Sequence, residues 1–441
     1  MNSNSSDIKA EGYPIVLTAD RTLIADYKLL MDGMISSTQT TATPDFLMLG
    51  LLTPRLVSPS LKAHQAPLGL RRIEAALLAS DFTEDDIAIV TPEEVEKAIG
   101  PKTMIVGLSS GDFLGTAMNS TTAPAIEGGD ICCANYFRIL VKKVRQKLIH
   151  EDAKIVVGGP GAWQLAEDKE ARKSLSVDCV VSGYCENEVA ALFRSIINGE
   201  PVDEVVLCKT NEAKDVPPIS GATTMGVVEI SRGCGLACTF CTLSKVPMRH
   251  IPEEQIVQDV KLNLSKGVEN ISLLSEDFFR YGSTAKGEVN YEKIVSLLKQ
   301  VRSLDKLNVL QIDHANITSV AQLTGEQLKN IHSLITGGRK MEWVWVNLGI
   351  ETASGPLLQK NGGGPKMRPY KDEEWAQLCH EQVRKLVEAG FFPLVSLVVG
   401  MPHETDEDVL KTIKWVESLG EGPYAVVPLL YAPVDDSKAF T

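Results

Sequence analysis

The sequence lacks an apolar run long enough to cross a membrane. A transmembrane helix needs roughly 18 or more consecutive apolar residues, and a typical long run here, Phe391 to Met401, falls short of that length. The amino terminus, MNSNSSDIKAEGYP, also lacks the basic and apolar regions of a secretory signal. We therefore expect a cytoplasmic protein with no membrane partner.

Basic residues and cysteine are both scarce. Lys and Arg together number 44 against 57 Asp and Glu, which gives a formal charge of −13. Nonspecific binding to nucleic acid depends on clustered basic side chains, so we expect no nucleic acid partner. Nine cysteines in 441 residues are too few, and odd in number, for a disulfide scaffold.

Length and patterning predict an α/β protein of more than one domain. From Asp45 the short apolar runs FLMLGLL, IAIV, MIVGL, KIVVGG and CVVSG alternate with segments of helical period. This alternation predicts a doubly wound, Rossmann-like parallel sheet over residues 45–200. We assign no fold to the N-terminal segment 1–44, and Pro and Gly in residues 201–225 favour a linker.

A second alternating region spans residues 226–432 and is followed by a short C-terminal end, 433–441. Its apolar runs predict six strands, with helical segments such as Ile256 to Lys266 between them. The predicted strands are Gly226 to Ile230, Ile271 to Leu274, Val309 to Ile312, Trp343 to Gly349, Leu394 to Gly400 and Ala425 to Leu430. Six βα units predict a partial (β/α)6 barrel.

Small residues end three strands of the first predicted domain. Ligands of such sheets bind beyond the carboxyl ends of the strands, and glycine lets the backbone approach a large planar or phosphate-bearing ligand. The candidate residues are Ser109, Ser110, Gly158, Gly159 and Gly183. Tight strand-to-helix turns would explain the same glycines equally well.

Three cysteines, Cys234, Cys238 and Cys241, follow the first strand of the second region with the spacing C-x3-C-x2-C. Soft thiolates at such short separations can bind one metal centre. A structural zinc ion needs a fourth ligand, for which His250 is the nearby candidate. An iron-sulfur cube held by three cysteines instead leaves one iron open. A zinc-binding module remains the weaker alternative.

This cysteine motif resembles the signature of the radical SAM superfamily. Further landmarks are the acidic run Ser275-Glu276-Asp277, the motif Gly349-Ile350-Glu351-Thr352 and the motif beginning at Gly400. The resemblance implies a [4Fe-4S] cluster on Cys234, Cys238 and Cys241, and S-adenosylmethionine bound by Glu276, Asp277, Gly349, Glu351 and Gly400. It also implies an external electron donor and reductive cleavage to a 5'-deoxyadenosyl radical. The acidic run departs from the family's Gly-Gly-Glu, and we favour Glu276 as the partner of the amino group.

The order of the two domains resembles the cobalamin-binding branch of this superfamily, the class B radical SAM methyltransferases. That resemblance implies cobalamin, as methylcobalamin, bound by the backbone of the five residues at the strand ends of the first domain. The chain has no Asp-x-His-x-x-Gly motif, and His64 and His150 are more typical of surface residues. We therefore expect cobalamin without a lower histidine ligand.

Members of this branch usually methylate unactivated sp3 carbons. The segments 18–23, 275–282 and 313–317 resemble methyl-coenzyme M reductase glutamine C-methyltransferases, which implies a protein or peptide substrate. Tyr281, His314 and Arg280 lie near the predicted barrel mouth and are candidates to orient substrate or move a proton. Each could equally be a packed or solvated loop residue.

Two other enzyme classes remain open. One is a cobalamin-dependent rearrangement or cyclisation without methyl transfer, because the sequence indicates the cofactors and not the fate of the substrate radical. The other is a methylthiotransferase, which needs a second cluster on three cysteines of the first domain. The available cysteines, Cys132, Cys133, Cys179 and Cys185, lack the usual spread and are more simply packed side chains.

Overall fold

The computed structural model describes residues 11–209, 211–284, 287–339 and 344–433. The chain divides into two compact units at Val227/Val228, and the short segment Ser265–Val268 groups with the first unit. The two units are described separately below.

A six-stranded parallel sheet forms the first unit. Its strand order is β3-β1-β4-β5-β6-β7, and every pair of neighbours is parallel. Two further short strands, β2 and β8, pair only with each other. The strands are β1 (Ile15–Ala19), β2 (Gln65–Ala66), β3 (Ile87–Ile89), β4 (Ile105–Ser109), β5 (Lys154–Gly158), β6 (Cys179–Ser182), β7 (Val205–Leu207) and β8 (Ala222–Thr223).

Helices cover both faces of this sheet. They are α1 (Leu30–Ser37), α2 (Asp45–Leu47), α3 (Leu68–Leu78), α4 (Val95–Ala98), α5 (Met118–Glu127), α6 (Cys132–Lys147), α7 (Ala162–Glu167), α8 (Lys169–Ser174) and α9 (Val189–Ile197). Successive residues of β1 enter two separate apolar cores, Ile15 and Leu17 on the side of α3 and α9, and Val16 on the side of α6. This two-sided burial confirms the predicted α/β class and explains why the strands are apolar throughout.

The structure corrects two sequence assignments in the first unit and places one segment that had been left unassigned. Ile15–Ala19, to which we assigned no fold, is a central strand of the sheet, and its five residues are all buried. FLMLGLL is not a strand, since α2 leads into a π-helical turn at Met48–Leu52. The region assigned as a linker contains β7, which is the edge strand beside β6, and β8.

The second unit contains all six predicted strands in two parallel groups. Their orders are β13-β12-β9 and β14-β15-β16-β17, and Asp313 alone separates β13 from β14 along the chain. The strands are β9 (Val227–Glu229), β10 (Ser231–Arg232), β11 (Arg249–His250), β12 (Ile271–Leu274), β13 (Leu310–Ile312), β14 (His314–Ala315), β15 (Val344–Glu351), β16 (Phe391–Val399) and β17 (Ala425–Leu430). Trp343, the predicted start of one strand, and the segments 1–10 and 434–441 lie outside the described residues.

Helices of the second unit connect these strands. They are α10 (Glu253–Ser265), α11 (Tyr291–Arg302), α12 (Ile317–Ala321), α13 (Gly325–Thr336), α14 (Gly355–Lys360), α15 (Gly364–Met367), α16 (Trp375–Glu388) and α17 (Asp406–Ser418). Capping side chains fix several helix starts, as where Thr405 Oγ1 accepts from the amide of Asp408. None of the helices in the described part of the chain is both long and apolar enough to span a bilayer.

Candidate active site

Most candidate residues of the second unit follow the carboxyl ends of its strands. Glu276 and Asp277 follow β12, Glu351 ends β15 and Gly400 follows β16. The cysteine motif follows β9 and β10. In barrels of parallel strands the residues at this edge form the active site.

A short antiparallel hairpin closes the base of the cysteine loop. β10 pairs with β11 through Ser231 and His250, and Cys234 N donates to Val246 O at 3.0 Å. Gly233 has a φ of +73°, and a Cβ there would lie 2.5 Å from Val246 O, so the entry to the loop requires glycine. Contacts within the protein itself therefore fix the backbone of the loop.

Three further contacts hold the cysteine loop from outside. Arg280 Nη1 donates to Cys234 O at 2.9 Å, and Thr239 N donates to Asn361 O at 3.2 Å. Gly362 has a positive φ, and a Cβ on it would lie 2.8 Å from Ala237 O. Arg280, a candidate catalytic residue, is thus placed against the backbone of the loop.

The three thiols are free and largely enclosed, with Cys238 buried and Cys234 and Cys241 half-buried. Burial raises the pKa of Cys234 to about 12 and that of Cys241 to about 11. Iron binding would have to displace these protons, as is general for thiolate ligands. A donor set of three soft thiolates on one loop fits an iron-sulfur cluster with one open iron.

The zinc alternative depends on a fourth ligand, for which His250 is the candidate. Among the described residues, no group of three or more His, Cys, Asp or Glu side chains is placed to hold one metal ion. His250, the suggested fourth zinc ligand, packs its ring against Tyr281 at 5.7 Å between centroids.

The two adjacent carboxylates have different surroundings. Asp277 is fully buried, and its Oδ1 and Oδ2 accept from Ser319 Oγ at 2.8 Å and Asn316 Nδ2 at 3.2 Å. Burial raises the pKa of Asp277 to about 6. Glu276 is half-buried, and burial also raises its pKa while the charge of His314 lowers it. Glu276 is therefore the carboxylate with the freer oxygens.

His314 forms an ion pair with the preceding residue. Its Nδ1 lies 2.9 Å from Asp313 Oδ2, and its side chain is 44% exposed. Burial alone would lower the pKa of His314, but the carboxylates of Asp313 and Glu276 outweigh that effect and raise it to about 9. His314 is consequently a cation at neutral pH and suits a proton donor better than a general base.

We expect His314 to remain protonated well above neutral pH, and its titration tests this directly. With its ring carbons isotopically labelled, the NMR shifts should give a pKa near 9, against the ordinary histidine value of about 6.5. Because the folded-state pKa is raised, this group stabilises the fold below about pH 6.5, and the contribution is lost as pH rises through 9. Asp313→Asn should move the pKa of His314 towards its ordinary value. An unchanged pKa in that variant would contradict the ion pair as its cause.

A buried ion pair lies at the end of β15. Lys366 Nζ binds Glu351 Oε1, and the two residues are 5% and 9% exposed. A Cβ on Gly349 would lie 2.5 Å from Glu351 Oε1 and 2.9 Å from Lys366 Nζ, so Gly349 leaves the space for this pair. Sequence reasoning missed Lys366, and the signal that could have found it is the run Gly362-Gly363-Gly364, which indicates close backbone packing.

The remaining two candidates of this unit differ in accessibility. Gly400 is exposed with a φ of +83°, and its amide donates to Glu404 Oε2 at 2.6 Å. Tyr281 is buried, and its hydroxyl donates to Ile251 O at 3.2 Å. That arrangement is typical of a packing residue, and a catalytic role for Tyr281 stays a prediction that the geometry does not favour.

The candidate residues of the first unit lie at the carboxyl ends of three adjacent strands. Gly159 is exposed, and Gly158 and Gly183 are half-buried. A Cβ on Gly159 would lie 2.4 Å from Ser109 Oγ, and one on Gly183 would lie 2.7 Å from Cys208 O. Packing within the protein therefore already requires these two glycines. Tight strand-to-helix turns, the other explanation offered by the sequence, would account for them without a ligand.

The serines at the end of β4 lie below this surface. Ser110 is 0% exposed and Ser109 is 7% exposed, so neither presents its backbone to a ligand. The next residue, Gly111, is exposed and provides the accessible backbone after β4. The exposed glycines form a surface poor in side chains, which fits a large planar ligand. This surface extends from the topological switch point between β1 and β4, where ligands of such sheets bind.

Asp20, at the end of β1, is a residue that sequence reasoning missed because β1 itself was missed. It is fully buried, and its Oδ2 has no hydrogen-bond partner in the described part of the chain. Burial raises the pKa of Asp20 to about 6. The sequence signal that could have identified Asp20 is its position directly after an apolar run.

The two histidines of the first unit lie at different places along the sheet. His150 Nε2 contacts Pro101 O, ahead of the amino end of β4, and so lies at the opposite edge of the sheet. His64 lies beside the edge strand β3, with its Nδ1 3.1 Å from Ser58 Oγ. Cobalamin without a histidine ligand stays a prediction.

Comparison with known families assigns the second unit. The model of the Radical SAM superfamily matches residues 228–416. This part of the chain is a radical SAM domain. The match includes the cysteine loop, the acidic run and the motif that contains Glu351.

Curated relatives of this chain include methylthiotransferases. The tRNA-2-methylthio-N(6)-dimethylallyladenosine synthase of Fusobacterium nucleatum is 25% identical over 280 residues, which is 62% of this chain and 60% of that protein. The ribosomal protein uS12 methylthiotransferase RimO of Aquifex aeolicus is 23% identical over 281 residues, again 62% of this chain and 60% of that protein. The chain thus matches less than two thirds of the length of these relatives.

A solved structure resembles nearly the whole chain. The radical S-adenosylmethionine methyltransferase TsrM from Kitasatospora setae, solved with tryptophan and a SAM analogue, superposes with a TM-score of 0.59. The match covers 95% of this chain and 74% of TsrM at 15% identity. At that identity the likeness concerns the fold alone.

Proposed function

We propose that this chain is a cobalamin-dependent radical SAM C-methyltransferase that acts on an unactivated sp3 carbon. The observation that carries the proposal is the C-x3-C-x2-C loop, which arises at the carboxyl edge of the radical SAM domain and is held there by Arg280 and Asn361. The preceding α/β unit, with its exposed strand-end glycines, supports a second cofactor.

The radical SAM domain provides groups suited to S-adenosylmethionine. Glu276, which is half-buried, can accept a hydrogen bond from the amino group of S-adenosylmethionine. Glu351, which also pairs with Lys366, can accept hydrogen bonds from the ribose hydroxyls. Gly400 leaves its backbone exposed beyond β16. In this proposal Asp277 supports the site from beneath, through Asn316 and Ser319.

The α/β unit would hold cobalamin against the exposed backbone at the ends of β4, β5 and β6. Bound cobalamin would supply a transferable methyl group, and the reduced cluster would supply the electron that cleaves S-adenosylmethionine. Four residues at this edge carry no side chain and so leave their backbone accessible: Gly111, Gly158, Gly159 and Gly183. Ser109 and Ser110 would support it from below.

The test is a product analysis of anaerobically reconstituted protein given S-adenosylmethionine, reductant and hydroxocobalamin. We expect 5'-deoxyadenosine, S-adenosylhomocysteine and methylcobalamin, each detected by mass spectrometry. Formation of 5'-deoxyadenosine without the two methyl-transfer products would contradict methyl transfer and favour a cobalamin-dependent rearrangement or cyclisation.

The substrate we propose is a glutamine in a protein or peptide, such as one from methyl-coenzyme M reductase. The support is the resemblance of segments 275–282 and 313–317, which carry Glu276, Arg280 and His314 in the candidate active site. An external one-electron donor would reduce the cluster. A glutamine-containing peptide should gain the mass of one methylene unit, and a matched peptide with asparagine in its place should not.

Methylthio transfer is the second candidate, because the curated relatives described above catalyse it by name. It would need a second cluster in the first unit, where Cys132, Cys133 and Cys179 are buried and burial raises the pKa of each thiol. About four iron atoms per chain would support methyl transfer, and about twice that number would support methylthio transfer. Cys133→Ala and Cys179→Ala should leave the iron content unchanged.

A further inference from the structure

Asn347 is a polar residue in the middle of β15 to which neither the sequence motifs nor the comparisons assign a role. Its neighbours Val346 and Leu348 are 0% exposed, whereas Asn347 is half-buried. Side chains of a strand alternate between two faces, so Asn347 and Gly349 share the less buried face. A Cβ on Gly349 would lie 2.5 Å from Glu351 Oε1. Asn347 therefore faces the same space as a proposed ligand of S-adenosylmethionine.

The carboxylate of Asp313 fixes the orientation of the Asn347 side chain. Asn347 Nδ2 donates to Asp313 Oδ1 at 3.1 Å, and Asn347 N donates to Asp313 O at 2.8 Å. An ionised carboxylate only accepts hydrogen bonds, so the NH2 group of Asn347 must face it and Oδ1 must point away. That Oδ1 accepts no hydrogen bond from the described residues. Asn347 thus presents an acceptor to a ligand.

The same carboxylate holds His314 beside Asn347. Nδ1 of His314 lies 2.9 Å from Asp313 Oδ2, and the parallel register of β14 and β15 places His314 opposite Asn347. Its side chain is 44% exposed. A neighbouring carboxylate favours the protonated imidazole, in which both ring nitrogens are donors. Nε2 has no hydrogen-bond partner in the described part of the chain, so His314 presents a donor next to the acceptor of Asn347.

These two groups suit a neutral ligand that both donates and accepts. Asp313 already offsets the charge of His314, so the pair leaves no net positive charge for an anionic ligand. A primary carboxamide offers an N–H group to Asn347 Oδ1 and a carbonyl oxygen to His314 Nε2. A carboxylate has no N–H group, and Asn347 Oδ1 would then lack a partner.

We propose that Asn347 and His314 together bind the primary carboxamide of the substrate and select it against the corresponding carboxylate. This proposal rests on the proposed function, in which the substrate is a glutamine side chain. Asn347 accepts from the amide nitrogen, His314 donates to the amide oxygen, and Asp313 positions both side chains. A site built to bond an N–H group rejects an analogue without it, because a polar group of the site is left unpaired.

The test compares two probes that differ only in this group, N-acetyl-L-glutamine methylamide and N-acetyl-L-glutamate methylamide. Their affinities for the reconstituted protein with bound S-adenosylmethionine are measured at neutral pH by NMR titration, without reductant and therefore without turnover. Wild type should bind the glutamine probe roughly tenfold or more tightly than the glutamate probe. Asn347→Leu, which removes the acceptor and keeps a side chain of similar size, should reduce that preference to less than about threefold.

The controls separate recognition of the carboxamide from a structural role. His314→Gln keeps a neutral donor, so it should weaken binding of the glutamine probe and preserve the preference. Asn330→Leu is the matched control, because Asn330 is exposed on α13 and its Nδ2 donates to Tyr291 Oη. It should keep both affinities. A general loss of packing would weaken both probes equally and leave their ratio unchanged.

The nitrogen resonances of His314 provide a second readout that needs no variant at Asn347. With the histidine rings labelled and His314 assigned through His314→Gln, the glutamine probe should shift the Nε2 resonance of the wild type. This measurement decides the proposal if Asn347→Leu fails to fold.

Equal affinities of the wild type for the two probes, or an unchanged preference in folded Asn347→Leu, would overturn the proposal. So would a glutamine probe that at millimolar concentration neither binds nor shifts Nε2. Failure of the proposed function gives a different result, because it appears in the product analysis as missing S-adenosylhomocysteine and methylcobalamin. The probe preference is measured without turnover and does not depend on those products.

Discussion

Alanine in place of Cys234, Cys238 or Cys241 is expected to abolish 5'-deoxyadenosine formation and to remove most of the bound iron. Each thiol would bind a separate iron, so the loss of one leaves a corner of the cluster open to solvent and oxidation. The hairpin of β10 and β11 and the contacts of Arg280 involve backbone atoms. The loop should therefore survive the substitutions.

Iron content, the absorption of the reconstituted protein and 5'-deoxyadenosine should be measured together on each variant. Cys132→Ala is the matched control, because Cys132 is also a buried free thiol but lies in the first unit. It should keep wild-type iron and activity. If a motif variant kept both its iron and its 5'-deoxyadenosine formation, the cluster assignment would be wrong.

The strands of the radical SAM domain could be predicted because their apolar runs are short, separate and bounded by polar loops. Phe391–Val399 and Ala425–Leu430 are both such runs, and each forms a strand. Neither run alternates between apolar and polar residues, so length and flanking residues identify them.

The same criteria were insufficient near the amino terminus. Only Asp20, Arg21 and Thr22 separate Ile15–Ala19 from the next apolar residues, Leu23 and Ile24, so the periodicity of the whole stretch was ambiguous. FLMLGLL is as apolar as a buried strand, yet Phe46 is 80% exposed in its helical turn. An apolar run alone does not distinguish a helix from a strand.

In the candidate site, residues that belong to contiguous motifs could be predicted, whereas their partners from distant parts of the chain could not. The cysteine spacing and Glu351 could be read from the chain because each belongs to a contiguous motif. Lys366 reaches Glu351 across 15 residues of intervening chain, through a glycine-rich segment that no motif marked. Likewise, the partners of Asp277, Asn316 and Ser319, come from the next βα unit.

The adjacent pair Glu276 and Asp277 provides a matched test of which carboxylate binds S-adenosylmethionine. Glu276→Gln is expected to weaken binding about 10- to 100-fold, since a charge-assisted hydrogen bond contributes about 1.5–3 kcal/mol. Asp277→Asn should change the affinity by less than about threefold, because both oxygens of Asp277 already accept hydrogen bonds within the protein. Equilibrium dialysis on reconstituted protein measures both affinities.

Stability provides an independent readout for the same pair. The raised pKa of Asp277, about 6, means that its ionised form is disfavoured by folding. This carboxyl therefore opposes folding progressively as pH rises from about 4 through 6. Asp277→Asn should gain thermal stability relative to wild type between pH 4 and pH 8, and Glu276→Gln should gain less because Glu276 is only half-buried. Loss of S-adenosylmethionine binding in Asp277→Asn, with normal binding in Glu276→Gln, would reverse the assignment and make the buried carboxylate the ligand.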